Sequence, residues 1–353
     1  MLKNRGAISN PEGRFEIEQY ENYDDGWDRE EEILSPLETI LLPEKAKSII
    51  SYNDSPDIGF DQSINPYRGC EHGCIYCYAR PAHSYVNLSP GIDFETKIFF
   101  KVDAVKILEE EINKPKYQCK AIMIGANTDP YQPAESKLKI TRHILELLNK
   151  YNHPVALITK SSMIERDMDI LSAMAKRHLV KVAISVTTLS NSLKLILEPR
   201  TSGPKARLRT IKKLTENNIP VRVMAAPMIP AINDRELEKI LECASLAGAK
   251  SASYVFVRLP HEVKDLFKEW LMQHFPDRAM HVMSLIRQMR GGKEYDATFG
   301  QRMRGTGEFA MLLEKRFIIA CKKYKLNLEK SSPFDFTQFK KRKQHDEKQM
   351  NLF

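Results

Sequence analysis

Cys70, Cys74 and Cys77 stand within eight residues of one another, in the stretch "NPYRGCEHGCIYCYARPAHSY" (65–85) of a 353-residue chain with six cysteines. Three thiolates so closely set can hold a metal centre, because zinc and iron–sulfur clusters both take thiolates tetrahedrally. The fourth ligand separates the two. With His72 or His83 added, the set becomes a closed Cys3His zinc site, whereas a cubane held by three thiolates leaves one iron open to a substrate or cofactor. Cys119, Cys243 and Cys321 are scattered singly and read as small buried hydrophobes.

The N-terminus, "MLKNRGAISNPEGRFEIEQYEN", has no apolar signal core, and no run reaches the roughly 18 apolar residues of a membrane span. A cytoplasmic protein without membrane association is expected. In that compartment a thiol cluster binds metal or does chemistry rather than forming disulfides.

The elements that must position the cysteines follow a rhythm. Apolar runs at 121–126, 154–159, 180–186, 219–227 and 251–259 read as buried parallel strands, joined by helical segments at 136–150, 164–177, 203–217 and 234–247. The last helix opens on "NDRE", which reads as a capping box with Asn233 at the N-cap and Glu236 three residues on. A first strand leading into Arg68 and Gly69 brings the count to six strand–helix units. The expected fold is α/β, a partial (β/α)6 TIM-like barrel, with a doubly wound sheet as the rival topology. Either way the chemistry belongs at the carboxyl ends of the strands, where "GANTDPYQPAE", "TKSS", "SVTT" and "PMIPAIND" place polar groups.

Four regions are expected: an acidic N-terminal arm (1–62), the barrel core (63–260), a helical C-terminal extension (261–329) and a basic tail (330–353). In the extension, helices are expected at 262–274, 278–290 and 306–325. Residues 1–62 carry 15 acidic against 6 basic side chains, and residues 287–353 carry 8 against 16. That asymmetry fits an arm lying against the tail, or a tail that meets a polyanion such as nucleic acid.

With these elements in place, C-x3-C-x2-C with Tyr76 before the third cysteine, on the loop after the first barrel strand, resembles the signature of radical S-adenosylmethionine (SAM) enzymes. More narrowly, "SINPYRGCEHGCIYCYARPAHSY", "GANTDPYQPAE", "LITKS", "AISVTTLS", "EPRTSGPKARLRTI", "MAAPMIPAIND" and "RQMRGGKEYDATFGQRMRG" resemble the spore-photoproduct-lyase-like, or DNA repair photolyase-like, branch. The likeness runs from about residue 45 to the C-terminus.

That resemblance implies a [4Fe–4S] cluster on Cys70, Cys74 and Cys77, with S-adenosyl-L-methionine on the open iron, cleaved to give a 5′-deoxyadenosyl radical. It implies further cofactor contacts: Tyr76 near the adenine; Asn127, Thr128 and Asp129 toward the methionine ammonium; Lys160 and Ser185 toward carboxylate and ribose; Glu198 and Arg200 as a polar pair. Each has a plainer reading: a core tyrosine, an Asx turn before Pro130, solvent-facing strand ends, and a loop-fixing salt bridge. Arg68 and Arg80 flank the cysteines, either tuning the centre or pairing with the acidic arm.

The resemblance also implies nucleic acid as substrate, for repair or modification, and an electron donor of the flavodoxin or ferredoxin kind. A protein or small metabolite is the alternative substrate, and a zinc-stabilised, non-catalytic nucleic-acid-binding module is the alternative to an enzyme. The sequence departs from spore photoproduct lyases in one respect. Their hydrogen-donor cysteine has no counterpart at Gly125, Ala126 or Asn127, and Cys119 lies before that strand, so thymine-dimer-type repair does not carry over. Tyr131 is the nearby residue with radical-donor chemistry. Finally, Gln349, Met350, Leu352 and Phe353 in the terminal "QMNLF" resemble the pentapeptide that binds the bacterial DNA sliding clamp.

Overall fold

A computed structural model describes residues 5–15, 37–329 and 332–341. The expected clamp peptide, Gln349 to Phe353, and the acidic run at 16–36 lie outside the described residues.

Among the described residues ten strands form two sheets: β1 (Ile40–Glu44), β2 (Ile50–Tyr52), β3 (Gln62–Ile64), β4 (Tyr67–Arg68), β5 (Lys97–Lys101), β6 (Ile122–Ile124), β7 (Val155–Thr159), β8 (Val180–Ser185), β9 (Val221–Met228) and β10 (Ser251–Phe256). The larger sheet runs β10-β9-β8-β7-β6-β3-β2, and all its pairs are parallel except β2 with β3. The six parallel strands follow chain order without the reversal that a doubly wound sheet requires. β10 and β2 do not pair with each other, so the result is an open (β/α)6 barrel. Ile122, Ile124, Val155, Leu157, Val182, Ile184 and Val223 have essentially no exposure, as strands covered on both faces require.

The expected strand into Arg68 is in fact two. β3 belongs to the barrel, but β4 belongs to a second sheet, β1-β5-β4, where Tyr67 and Arg68 pair antiparallel with Phe100 and Phe99. Pro66, which has no N–H to give a ladder, stands between them. Strands β1 and β2 also lie within residues 1–62, so that region is part of both sheets as well as an arm. The helix expected at 136–150 breaks at Lys139, which adopts a left-handed conformation, leaving Glu135–Leu138 and Ile140–Lys150. The helices expected at 164–177 and 234–247 each begin with a 3-10 turn, before Met168–Ala175 and Leu237–Leu246.

The expected capping box does not form. The Asn233 amide accepts from Ile229 N (2.6 Å) and donates to Thr187 O (2.8 Å) and Pro227 O (2.9 Å). Glu236 instead accepts from the Thr188 hydroxyl and Leu189 N. Both side chains tie neighbouring strand exits together rather than closing their own helix.

The C-terminal extension places helices at Val263–His274, Pro276–Gln288 and Gly307–Lys323. The first is anchored by Trp270, which has no exposure and donates its indole N–H to Ile196 O (2.9 Å). The loop between the last two crosses the open seam of the barrel. Met303 O accepts from Phe256 N of β10 (3.0 Å), while Arg302 Nε donates to Asp57 (2.6 Å) in the β2–β3 connection. Among the described residues no helix is long and apolar enough to cross a membrane.

Candidate functional site

The cysteine loop leaves β4 at Gly69 and returns at β5, and its first turn is closed by Cys70 N donating to Phe94 O (2.9 Å). Gly73, with φ +65°, turns the chain between the first two cysteines. A Cβ there would lie 2.7 Å from the Glu95 carboxylate, so glycine alone admits that approach. Cys70 and Cys74 are buried, Cys77 is half-buried, and all three are free thiols.

Arg80 and Glu95, neither with any exposure, stand behind the loop and pair at 2.5 Å. The other arms of Arg80 donate to Cys74 O (3.0 Å), Pro90 O (3.0 Å) and Gly91 O (2.9 Å). Arg68, by contrast, pairs with Glu44 at 2.6 Å. Among the described residues of the region 1–62, Arg68 meets an acidic partner and Arg80 does not.

A second buried pair faces the barrel. Glu198 accepts from Arg207, from the Tyr76 hydroxyl and from Thr187 Oγ1 (3.2 Å). Burial pushes its carboxyl up, but Arg207 and Lys160 outweigh this and hold it below the usual range. The expected Glu198–Arg200 pair does not exist. Glu198 ends the short helix Asn191–Leu197 and pairs with Arg207, while Arg200 reaches Glu71 of the cysteine loop (3.1 Å). Arg207 was not singled out by sequence reasoning, although it stands inside the quoted "GPKARLRTI".

The β6 exit is equally fixed. Asp129 accepts from His72 Nδ1 (3.3 Å), Thr159 Oγ1 (2.6 Å), Lys160 N (2.8 Å) and Tyr131 N (2.9 Å), the last being the Asx turn. Burial opposes its ionisation, yet His72 and these donors hold the carboxyl well below its usual range. Thr128 Oγ1 donates to Tyr67 O (3.0 Å), and Asn127, which is exposed, donates its N–H to Asn65 (2.9 Å). Ser185 is buried at the end of β8, its carbonyl accepting from Arg207 (3.0 Å). Tyr131 has no exposure and lies beneath Arg166 (5.9 Å), so its ring has no open path to a substrate.

Two cations at the mouth have no carboxylate partner among the described residues. Lys160 Nζ lies 5.9 Å from the centre of the Tyr76 ring; burial works against its charge, but Cys74, Glu198 and Asp129 outweigh burial and raise its pKa. Arg258, just past β10, stacks 4.8 Å over Tyr78, beside Cys77, and its Nε is buried without an acceptor. Among the described residues its guanidinium donates to Met303 Sδ (3.6 Å). Tyr76, Lys160 and Glu198 thus lie within electrostatic reach of Cys74 and Asp129 within reach of Cys70, whereas Arg200 is engaged with Glu71 of the cysteine loop. Arg258 and Glu95 also escaped sequence reasoning.

Neither histidine completes a zinc site. His72 is spent on Asp129, and His83 packs between Phe94 and Phe99 with Nε2 on Lys97 O (2.9 Å), burial lowering its pKa to about 4. Among the described residues no three His, Cys, Asp or Glu side chains converge on one ion. Thiolates that each bind a different iron need no such convergence. Burial pushes Cys70 up and Cys74 up to about 12, so a cationic centre is what would make thiolates of them. The donor set suits a cubane.

The family model of the radical SAM superfamily matches residues 64–244. An uncharacterized protein of Mycobacterium tuberculosis is 31% identical over 231 residues, covering 65% of this chain and 68% of that protein. An uncharacterized protein of Methanocaldococcus jannaschii is 28% identical over 243 residues, covering 69% and 86%. Among solved structures, spore photoproduct lyase shares the fold with a TM-score of 0.59 at 16% identity, covering 80% of this chain and 79% of that one. Taken with the open six-stranded barrel and the three-cysteine loop at its mouth, the match over half the chain means that this protein belongs to the radical SAM superfamily.

Proposed function

We propose that this radical SAM enzyme acts on nucleic acid, with Cys70, Cys74 and Cys77 holding the cluster. The superfamily's cofactors are a [4Fe–4S] cluster and SAM. Held by Cys70, Cys74 and Cys77, the cluster together with SAM would supply one-electron radical chemistry directed at a substrate hydrogen. The chain's part is to hold, orient and shield. Lys160, charged and without a carboxylate partner, suits the SAM carboxylate. Glu198 and Arg207 fix Tyr76 by its hydroxyl, and Asp129 fixes the β7 exit that carries Lys160, so both carboxylates shape the pocket through neighbours. Asn127, Thr128, Ser185 and Arg200 are proposed as supporting contacts.

The observation that carries the substrate reading is Arg258, a guanidinium stacked on Tyr78 with a buried N–H that lacks an acceptor. An oxygen-rich anion such as a phosphate would satisfy it. Spore photoproduct lyase, similar in fold, has been solved with dinucleoside spore photoproduct. The sequence around Gly125 to Asn127 lacks a donor cysteine, so the chemistry proposed here is modification or repair of another kind. A flavodoxin or ferredoxin as electron donor, and a sliding clamp bound by the terminal pentapeptide, complete the proposal.

The test is anaerobic reconstitution, reduction with dithionite, and assay of 5′-deoxyadenosine with and without single-stranded or duplex DNA and RNA. About four irons per chain, and deoxyadenosine formation raised by nucleic acid and lost in Cys74→Ala, is the expected result. Formation indifferent to every nucleic acid would move the reading to a protein or metabolite substrate.

A further inference from the structure

The back of the cysteine loop is closed by the chain's own beginning. Gly6 N and Ala7 N donate to the two oxygens of Glu95 at 2.9 and 2.8 Å, so a continuous set of hydrogen bonds runs from residues 6 and 7 through Glu95 and Arg80 to the Cys74 carbonyl. The approach is close: a Cβ on Gly6 would lie 1.7 Å from the Gly73 carbonyl oxygen, inside the loop between Cys70 and Cys74. Arg5 adds a bond to Glu95 O (2.8 Å). Farther along, Asn10 accepts from Asp93 N (3.0 Å), Pro11 O accepts from the Ser89 hydroxyl, and Arg14 pairs with Glu262 (3.1 Å). Ala7 is 2% exposed.

A buried carboxylate needs its donors, and backbone N–H groups supply them without a second charge. Arg80 alone would leave one Glu95 oxygen without a partner. The segment's second effect is steric, since Gly6 lies directly against Gly73, next to Cys74 in the chain.

We propose that residues 5–14 are a positioning element of the cluster site, a cover that fixes the Cys74 turn through Glu95 and Arg80 and keeps water and dioxygen off the cluster's outer side. The inference rests on the reading that the three cysteines hold the cluster.

The test uses the full chain, wild type against Gly6→Val, whose side chain collides with Gly73, and Arg5→Ala, which loosens the segment more mildly. Each is reconstituted anaerobically, its iron counted, and the loss of cluster absorbance and release of iron to a chelator followed on exposure to air. Equal iron loading is expected in both variants, and an unchanged thermal midpoint of the iron-free chain in Arg5→Ala, which keeps the Gly6 and Ala7 donors to Glu95; iron is lost about tenfold faster in Gly6→Val and roughly two- to threefold faster in Arg5→Ala, as one or two buried hydrogen bonds would allow. Arg5→Lys should restore the wild-type rate. If Gly6→Val does not fold, Arg5→Ala and its rescue decide alone. Wild-type rates in the folded variants would overturn the cover, as would faster loss in Arg5→Ala that tracks a lowered thermal midpoint. A wild type that binds no iron would instead overturn the cluster reading.

Discussion

The two ends of the barrel are finished in opposite ways. At the end where the strands begin, residues 332–341 lie across the openings and satisfy what they meet. Phe339 packs against His153 and Tyr117 (5.2 and 6.0 Å between rings), Asp335 N donates to His178 O (3.2 Å), and Lys340 N donates to Tyr151 O (3.3 Å). At the end where the strands stop, carboxylates are over-supplied with donors while Lys160 and Arg258 form no direct ion pair among the described residues. The first end is built to stay shut. The second holds its walls rigid and leaves selected cations for something that is not protein, which is the division expected of barrel enzymes.

The rigidity of the mouth gives the largest expected effect. Arg207→Ala would leave Glu198 ionised and buried beside Tyr76, and losing one partner of such a pair costs about 3–5 kcal/mol. Thermal or denaturant unfolding of the iron-free chain measures this, and deoxyadenosine formation should fall as well, because Tyr76 loses its anchor. A loss below about 1 kcal/mol would mean that Glu198 finds water and that the mouth wall is softer than its burial implies.

The closed end gives the next effect, through pH. Burial lowers the His153 pKa to about 4 from the ordinary 6.5, with Nδ1 held on Pro154 O (2.9 Å). The folded chain therefore gives up this proton more readily than the unfolded chain. Stability is complete above pH 6.5 and is lost as pH falls toward 4, by about 3 kcal/mol at 1.36 kcal/mol per unit. His83, also lowered to about 4, adds a loss of the same sign. His153→Gln should flatten the unfolding-versus-pH curve by its own share; an unchanged slope would show that His153 is solvated and that the strap does not seal this end.

The contrast between the ends also explains what could be read from the sequence. Strand order, the barrel and the cysteine loop were legible because apolar runs and a three-thiol spacing are local signals. The mouth's wiring was not, because Arg207, Glu95 and Arg258 reach partners through the fold and carry no pattern of their own. Glu198 and Arg200, two apart in sequence, looked like a pair and take different partners. Asn233 and Glu236 had the spacing of a capping box, yet their side chains reach neighbouring loops, a competition that local spacing does not reveal. Pro66 was visible, but its effect in moving Tyr67 and Arg68 into a second sheet depends on β5, some thirty residues on.

The smallest effect on stability should come from Arg258, and it separates the two ends most sharply. If this arginine serves the fold, removing it should cost what other half-buried arginines cost, through lost packing on Tyr78 and a lost bond to Met303. If it waits for an anion, Arg258→Ala should change stability by no more than about 0.5 kcal/mol. Affinity for a single-stranded oligonucleotide should nevertheless drop roughly tenfold, with the slope of log affinity against log salt reduced by about one. Arg258→Lys should keep the salt slope but not the full affinity, since an ammonium cannot both stack on Tyr78 and present two donors. An oligonucleotide that binds all three proteins alike would return Arg258 to the fold and leave Lys160 as the mouth's only cation with an open role.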